Sequence, residues 1–259
     1  MSLLLVDSHC HLDRLEFDKL GGDLDAALAT AREHGVGYML CVCIDMDNFP
    51  AVLALARRHP NVFASVGVHP NERDTREPAS DELIAFAGDE RVIAVGETGL
   101  DYFRSAGDLE WQRERFRRHI RAAIAAGKPL IVHSRDARRD TLDILREEGA
   151  AKIGGGMHCF SEDWDMAQQA MDLNFYISFS GIVTFKNAVA LKEVARRVPL
   201  ERLLVETDAP YLTPAPFRGK TNQPAYVRYV AEHIAELRGE SFKRIAEATT
   251  ANFFRLFKV

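Results

Sequence analysis

Eight short apolar runs alternate along the chain with longer amphipathic stretches, and this alternation restricts the possible folds more than any other feature. Each run is short, and most are almost continuously apolar, which is typical of parallel strands covered by helices. The predicted strands are Leu3–Val6, Tyr38–Cys43, Phe63–Val68, Val92–Val95, Leu130–Val132, Gly156–His158, Phe175–Ser178 and Leu203–Val205.

The stretches between the runs carry apolar residues at three-to-four spacing, which predicts helices. These are Leu24–His34, Asp47–His59, Asp81–Ala87, Leu109–Ala126, Ala137–Glu148, Asp163–Asp172, Lys186–Arg197, Ala225–Arg238 and Phe242–Phe257. The pattern predicts an α/β protein with a (β/α)8 TIM barrel as a single domain over residues 1–259, a length that such barrels commonly have. An open doubly wound sheet is the structural alternative.

Net charge, apolar runs and cysteine spacing limit the functions that the protein can have. The net charge of −5 gives no overall attraction to nucleic acid, so phosphate binding would need a local patch or a bound metal. The opening apolar run is too short for a signal sequence, and no apolar run of about 20 residues follows, which favours the cytoplasm. The cysteines lack a C-x2-C pair and are predicted to be buried thiols: Cys10, Cys41, Cys43 and Cys159.

Polar residues gather where the predicted strands end, which is the face that carries the active site in a (β/α)8 barrel. The period-two geometry of a strand points His9 and His11 to the same side. A lone histidine at one strand end is more often a packing residue than a ligand, but many such residues on one face indicate a metal site. The others are His69, Glu97, His133, His158, Glu206 and Asp208.

Imidazole and carboxylate ligands suit divalent ions such as Zn, Mg or Mn in an open, catalytic site. Six candidate ligands are too many for one tetrahedral ion but suit two ions about 3.5–4 Å apart that share a carboxylate. We predict two ions bridged by Glu97, and a modified lysine is not required because Lys128 precedes strand five. The predicted ligands are His9, His11, Glu97, His133, His158 and Asp208.

Seven local motifs, spread along essentially the whole chain, resemble those of the TatD family of metal-dependent deoxyribonucleases, within the amidohydrolase-like metal barrels. They include D-S-H-C-H-L-D at Asp7–Asp13, V-G-V-H-P at Val66–Pro70, G-E-T-G-L-D-Y at Gly96–Tyr102 and H-S-R-D-A at His133–Ala137. The others are H-C-F at His158–Phe160, F-K-N-A at Phe185–Ala188 and the long segment Glu206–Asn222.

By resemblance, His9, His11, Glu97 and Asp208 would hold one ion, and Glu97, His133 and His158 the other. Two positions depart from the family pattern: His119 stands where glutamine is common, and Gln223 stands where glutamate is frequent. Neither position is a predicted ligand.

The resemblance implies hydrolysis of nucleic-acid phosphodiesters, most often as a 3′→5′ exonuclease on single strands, with neither a membrane nor an obligate protein partner. Asp208 is predicted to orient the attacking water and accept its proton, with Glu97 as the second catalytic carboxylate. The predicted substrate contacts are His69, Arg135, Arg218 and Lys220.

Some side chains have two interpretations. Glu206 is predicted to orient a ligand from behind, with a buried salt bridge to Arg135 as the alternative. Tyr102 and Phe103 could stack on a base or simply pack a loop. For the whole protein, the competing functions are hydrolysis of an ester or amide, such as an aminoacyl-tRNA or a small cyclic amide, and metal or partner binding without catalysis.

Overall fold

Eight parallel strands form one sheet in the order of the sequence, β1 to β8, in the computed structural model, which describes residues 4–259. The consecutive order confirms the (β/α)8 barrel and rules out the doubly wound alternative, whose strand order reverses. The strands are β1 Leu5–Cys10, β2 Val36–Cys41, β3 Val62–Val66, β4 Val92–Asp101, β5 Leu130–Arg135, β6 Gly155–Met157, β7 Phe175–Phe179 and β8 Leu203–Val205. Leu3, predicted in the first strand, lies outside the described residues.

All nine predicted helices are present, and their ends differ from the predicted ones by at most three residues. The structure has one further short helix, α1. In the part of the chain that the structure describes, no helix is long and apolar enough to cross a membrane. The helices are α1 Phe17–Leu20, α2 Leu24–Glu33, α3 Phe49–Arg58, α4 Ser80–Ala87, α5 Glu110–Ala126, α6 Arg138–Glu147, α7 Trp164–Asp172, α8 Val189–Arg197, α9 Val227–Arg238 and α10 Phe242–Phe257.

The fourth strand is much longer than predicted. The apolar run ends at Val95, but β4 continues to Asp101 because Thr98–Asp101 pair with Val132–Arg135 of β5. Glycines and polar residues in this extension hide it from a search for apolar runs. The extension brings Glu97 and Asp101 into one continuous strand beside His133.

The first and last strands meet through an irregular set of hydrogen bonds rather than a regular ladder. The Thr207 N–H and hydroxyl donate to the Asp7 carboxylate at 2.8 and 2.5 Å, and the Ser8 hydroxyl donates to the Val205 carbonyl at 2.9 Å. The Asp208 N–H donates to the His9 carbonyl at 2.9 Å. We call this contact the β1–β8 seam, and it places His9 directly beside Asp208.

The last helix closes the bottom of the barrel. The inward-facing strand residues form an apolar cluster with Phe253, Leu256 and Phe257 of α10. The site therefore opens only at the carboxyl ends of the strands, because large side chains fill the barrel below it. The strand members of this cluster include Val6, Leu40, Phe63, Ile93, Ile131, Tyr176 and Leu204.

A buried polar stripe on α5 ties this helix to the strand ends. The fully buried His119 accepts a hydrogen bond from the Val68 N–H at 3.0 Å through Nε2 and donates to the Arg115 carbonyl at 2.8 Å through Nδ1. A glutamine amide can likewise accept one hydrogen bond and donate another, which accounts physically for the exchange at this position. Burial lowers the pKa of His119 to about 4 from an ordinary value of 6.5.

His119→Gln should make the protein less sensitive to acid. The unfolded chain binds a proton at His119 as the pH falls through 6.5, whereas the folded protein keeps the ring neutral down to about pH 4. Stability is therefore lost as the pH falls, by roughly 2.5 kcal/mol at about pH 4.5, and the glutamine variant should lack this loss. Denaturant unfolding of metal-stripped protein at about pH 7 and about pH 4.5 measures the difference. Equal losses in the two proteins would contradict the assignment.

Candidate metal centre

The Glu97 carboxylate lies at the centre of the site and is 2% exposed. Its Oε1 lies 3.1 Å from His133 Nδ1 and 3.1 Å from His158 Nε2. Its Oε2 lies 3.4 Å from His9 Nε2. The two oxygens of one carboxylate thus face different imidazoles, which is the arrangement that a bridging ligand needs.

On one side of Glu97, the β1–β8 seam brings three further ligand atoms together. His9 Nε2 and His11 Nε2 lie 3.3 Å apart, and Asp208 Oδ1 lies 3.6 and 3.3 Å from them. His11 follows the end of β1, and β1 shifts register between Asp7 and Cys10, so a regular period-two strand does not account for this convergence. The His11 ring is instead fixed by its Nδ1, 2.9 Å from the Val42 carbonyl.

On the other side, a carboxylate stands behind each histidine. His133 Nε2 lies 3.2 Å from Asp101 Oδ2, and His158 Nδ1 lies 2.9 Å from Glu206 Oε1. Such a carboxylate keeps the proton on the outer nitrogen and leaves the lone pair of the other nitrogen facing the centre. The inner nitrogens, His133 Nδ1 and His158 Nε2, both face Glu97.

The site brings imidazole nitrogens and carboxylate oxygens close together in a buried space. Burial alone would raise the pKa of Glu97, but the imidazoles of His158 and His69 hold it well below its ordinary value. Burial alone would likewise lower the pKa of His158, but Glu97 and Glu206 raise it well above the usual value. The acceptor atoms thus favour a positive charge at the centre of the site. Imidazole and carboxylate groups are common ligands of divalent metal ions.

Several three-residue groups could hold an ion, since the ligand atoms in each lie within 4.8 Å of one another. One is His9, His11 and Asp208, which matches three of the four ligands predicted for the first ion. Another is His69, Glu97 and His133, which contains two of the three predicted for the second. His158, the remaining predicted ligand, groups with His9 and Glu206 or with Cys159 and Asp208.

His69 is oriented to donate a hydrogen bond rather than to bind a metal. Its Nδ1 accepts from the Asn71 N–H at 3.0 Å, so a neutral ring carries its proton on Nε2, 3.4 Å from Glu97 Oε1. Burial lowers the pKa of His69 to about 3, which keeps the ring neutral. The Arg115 guanidinium of α5 fixes this segment by donating to the His69 carbonyl at 2.9 Å.

Glu206 contacts His158, one of the predicted metal ligands. Besides His158, its carboxylate accepts hydrogen bonds from the Cys159 N–H at 2.8 Å and from the Ser178 hydroxyl. The alternative partner, Arg135, makes no ion pair among residues 4–259, and its guanidinium carbon lies 3.9 Å from the centre of the Phe103 ring. Within the same residues, the four cysteines form no disulfide, and Cys159 is half-buried.

A cavity of about 620 Å³ opens above Glu97. Two of the predicted substrate contacts, His69 and Arg135, line it. Arg218 and Lys220 do not line it, and their charged groups lie against the rings of Phe185 and Phe217, so their role stays a prediction. The cavity lining also includes residues that the sequence interpretation missed: Arg14, Asn71, Asp101, Arg104 and Tyr211.

Asp101 is the clearest of these omissions. Besides His133, it accepts hydrogen bonds from Asn71 Nδ2 at 2.8 Å and from the Arg104 N–H at 2.9 Å, and the Gln112 side chain of α5 accepts from its backbone N–H at 3.0 Å. The spacing of four residues between Glu97 and Asp101 could have predicted its place in the site, because residues four apart on a strand share a face. The polar sequence of this strand extension concealed that relation.

Nearly the whole chain is similar to known metal-dependent hydrolases. The model of the family described as TatD related DNase matches residues 6–258. The metal-dependent hydrolase YcfH of Escherichia coli is 49% identical over 258 residues, which cover 99% of this chain and 97% of YcfH. TatD of Salmonella typhimurium, named a 3′-5′ ssDNA/RNA exonuclease, is 35% identical over 261 residues, 98% of this chain and 99% of that protein.

The fold agrees with these relatives. The crystal structure of YJJV, a TatD homologue from Escherichia coli, superposes with a TM-score of 0.91 at 30% identity and covers 100% of both chains. A TatD family hydrolase from Entamoeba histolytica gives 0.83 at 21% identity over 99% of this chain and 98% of its own. With the family match and the imidazole and carboxylate site, these likenesses show that the chain belongs to the TatD family of metal-dependent hydrolases.

Proposed function

We propose that the protein is a nuclease that hydrolyses phosphodiester bonds of single-stranded DNA, as a 3′→5′ exonuclease working with two divalent ions. The observation that carries this proposal is the Glu97 carboxylate, whose two oxygens face different imidazoles. The activity named for the Salmonella relative, 35% identical over nearly the whole chain, supports the choice of substrate.

In this proposal, His9, His11, Glu97 and Asp208 would hold one ion, and Glu97, His133 and His158 would hold the other. Zn, Mg or Mn ions bound there would lower the pKa of a water molecule and polarise the phosphoryl oxygens. Asp101 and Glu206 keep the outer nitrogens of His133 and His158 protonated, so that both rings offer a lone pair to the centre.

The chain's own groups complete the reaction. The water oxygen bonds to phosphorus, the bond from phosphorus to the leaving oxygen breaks, and the Asp208 carboxylate accepts a proton from the water and passes it to the leaving oxygen. Negative charge grows on the phosphoryl oxygens, and His69 donates a hydrogen bond from Nε2 to one of them. Arg135, Arg218 and Lys220 are proposed to contact substrate phosphates, so that local positive charge offsets the net charge of −5.

Metal-stripped protein should release no mononucleotides from end-labelled single-stranded DNA, and added Mg²⁺, Mn²⁺ or Zn²⁺ should restore release. Asp208→Asn and His133→Ala should each lower this rate by at least about a hundredfold, because each removes a ligand and Asp208 is also the proton acceptor. Circular dichroism and thermal unfolding would show whether the variants remain folded.

Two results would contradict the proposal. Full activity of metal-loaded His133→Ala would contradict the dinuclear site. If no ion supports release from DNA while the protein hydrolyses an aminoacyl-tRNA or a cyclic amide, the site would instead act on an ester or amide.

Asp101→Asn should weaken metal binding or activity by about 10- to 100-fold, because an amide no longer reliably fixes the proton on His133 Nε2. The matched control is Asp140→Asn, since Asp140 also accepts side-chain hydrogen bonds, from Tyr102 at 2.6 Å and Arg113 at 3.0 Å, but contacts no imidazole of the site. Titration of metal-stripped protein with Zn²⁺ measures the affinity. Equal affinities of the two variants for Zn²⁺ would show that Asp101 does not support metal binding.

A further inference from the structure

Two arginines at the cavity mouth have no acidic partner. Arg104 and Arg135 both line the cavity, and among residues 4–259 neither side chain makes an ion pair or a hydrogen bond. The third lining arginine, Arg14, differs because it pairs with Asp45 at 3.1 Å. The guanidinium groups of Arg104 and Arg135 are therefore available to an anion that enters the cavity.

These two residues lie nearer to the cavity mouth than the proposed metal ligands do. Arg135 is the last residue of β5, two positions after His133, which places its backbone about 7 Å further out. On β4, Asp101 pairs with Arg135, and the same Asp101 accepts a hydrogen bond from the Arg104 N–H at 2.9 Å. The backbones of both arginines thus lie beside Asp101 rather than beside Glu97.

An aromatic ring holds one of the two guanidinium groups without occupying its hydrogen-bond donors. The guanidinium carbon of Arg135 lies 3.9 Å from the centre of the Phe103 ring, and Phe103 is 60% exposed. Stacking on a ring face leaves the N–H edge of an arginine free, and that edge matches two phosphate oxygens. An exposed ring next to a phosphate site also offers a surface on which a base can stack.

The Asp101 carboxylate does not compete for these arginines. Asp101 is 1% exposed and already has His133, Asn71 and the Arg104 N–H as partners. Its charge is therefore offset by its own hydrogen bonds, and the two guanidinium groups have no acidic partner among residues 4–259.

We propose that Arg104 and Arg135 form a subsite for a second phosphate, adjacent to the phosphate that is hydrolysed. The inference rests on the proposed function, which supplies the reacting phosphate at the metal centre. The substrate class that follows is a chain or terminus with two phosphates on one nucleoside. A substrate with a single phosphate leaves this subsite empty.

Binding of product-like nucleotides tests the subsite without requiring turnover. Calorimetry on the metal-loaded protein would compare thymidine 3′,5′-bisphosphate with thymidine 5′-phosphate and thymidine 3′-phosphate. The bisphosphate should bind at least about tenfold more tightly than the better monophosphate, as expected for a charged hydrogen bond to a second phosphate. Arg104→Ala and Arg135→Ala should each remove most of that advantage, and Arg104→Ala should leave the Kd of the better monophosphate within about twofold.

Arg32→Ala is the matched control. Arg32 is exposed, makes no ion pair within the described residues, and lies in the last turn of α2, at the opposite end of the barrel. This variant changes the net charge equally and should keep the full preference for the bisphosphate. Because Arg104 is exposed, its substitution leaves the packing unchanged even if Arg135→Ala were to perturb the fold.

Equal affinities for the bisphosphate and the better monophosphate would overturn the subsite, and so would an equal weakening of all three nucleotides by Arg135→Ala. The second result would assign Arg135 to the reacting phosphate. Failure of the nuclease proposal is a separate observation, because it appears as absence of DNA cleavage and not as loss of the preference for the bisphosphate.

Discussion

The seam between β1 and β8 is the contact on which the site depends. A regular ladder would align two strands, but here the Asp7 side chain accepts hydrogen bonds from Thr207 in place of backbone groups. The same few residues close the barrel and carry His9, His11 and Asp208. Closure of the fold and assembly of these three candidate ligands thus depend on the same contact, because displacement of either strand would separate their side chains.

Helix α5 supports the opposite side of the candidate site from outside the barrel. Gln112, Arg115 and His119 are at most 1% exposed, and they bind backbone groups of Asp101, His69 and Val68. Buried polar groups are costly unless they are paired, and each of these has its partners. The helix therefore fixes the loop that bears His69 and the end of β4 that bears Asp101, the carboxylate behind His133.

The barrel, its strands and the set of imidazoles and carboxylates could be predicted because they follow from local apolar runs and from the rule that strand ends meet on one face. What escaped prediction depends on partners distant in sequence. The extension of β4 needs β5, Asp7 needs Thr207, and the rim arginine Arg104 lies in a loop whose position no periodicity specifies. The convergence of His9 and His11 was predicted, but from a regular strand geometry that β1 lacks.

The position of α10 under the barrel determines when the protein can acquire its structure during synthesis. The edge of the first strand is paired only after Thr207 has been made, and the apolar floor of the barrel needs Phe253, Leu256 and Phe257. Contacts between residues this far apart in the sequence form slowly and expose apolar strands in the meantime. A nascent chain that has not yet reached Thr207 and α10 therefore lacks the contact that closes β1 and the apolar floor of the barrel, and its apolar strands stay exposed until those residues are made.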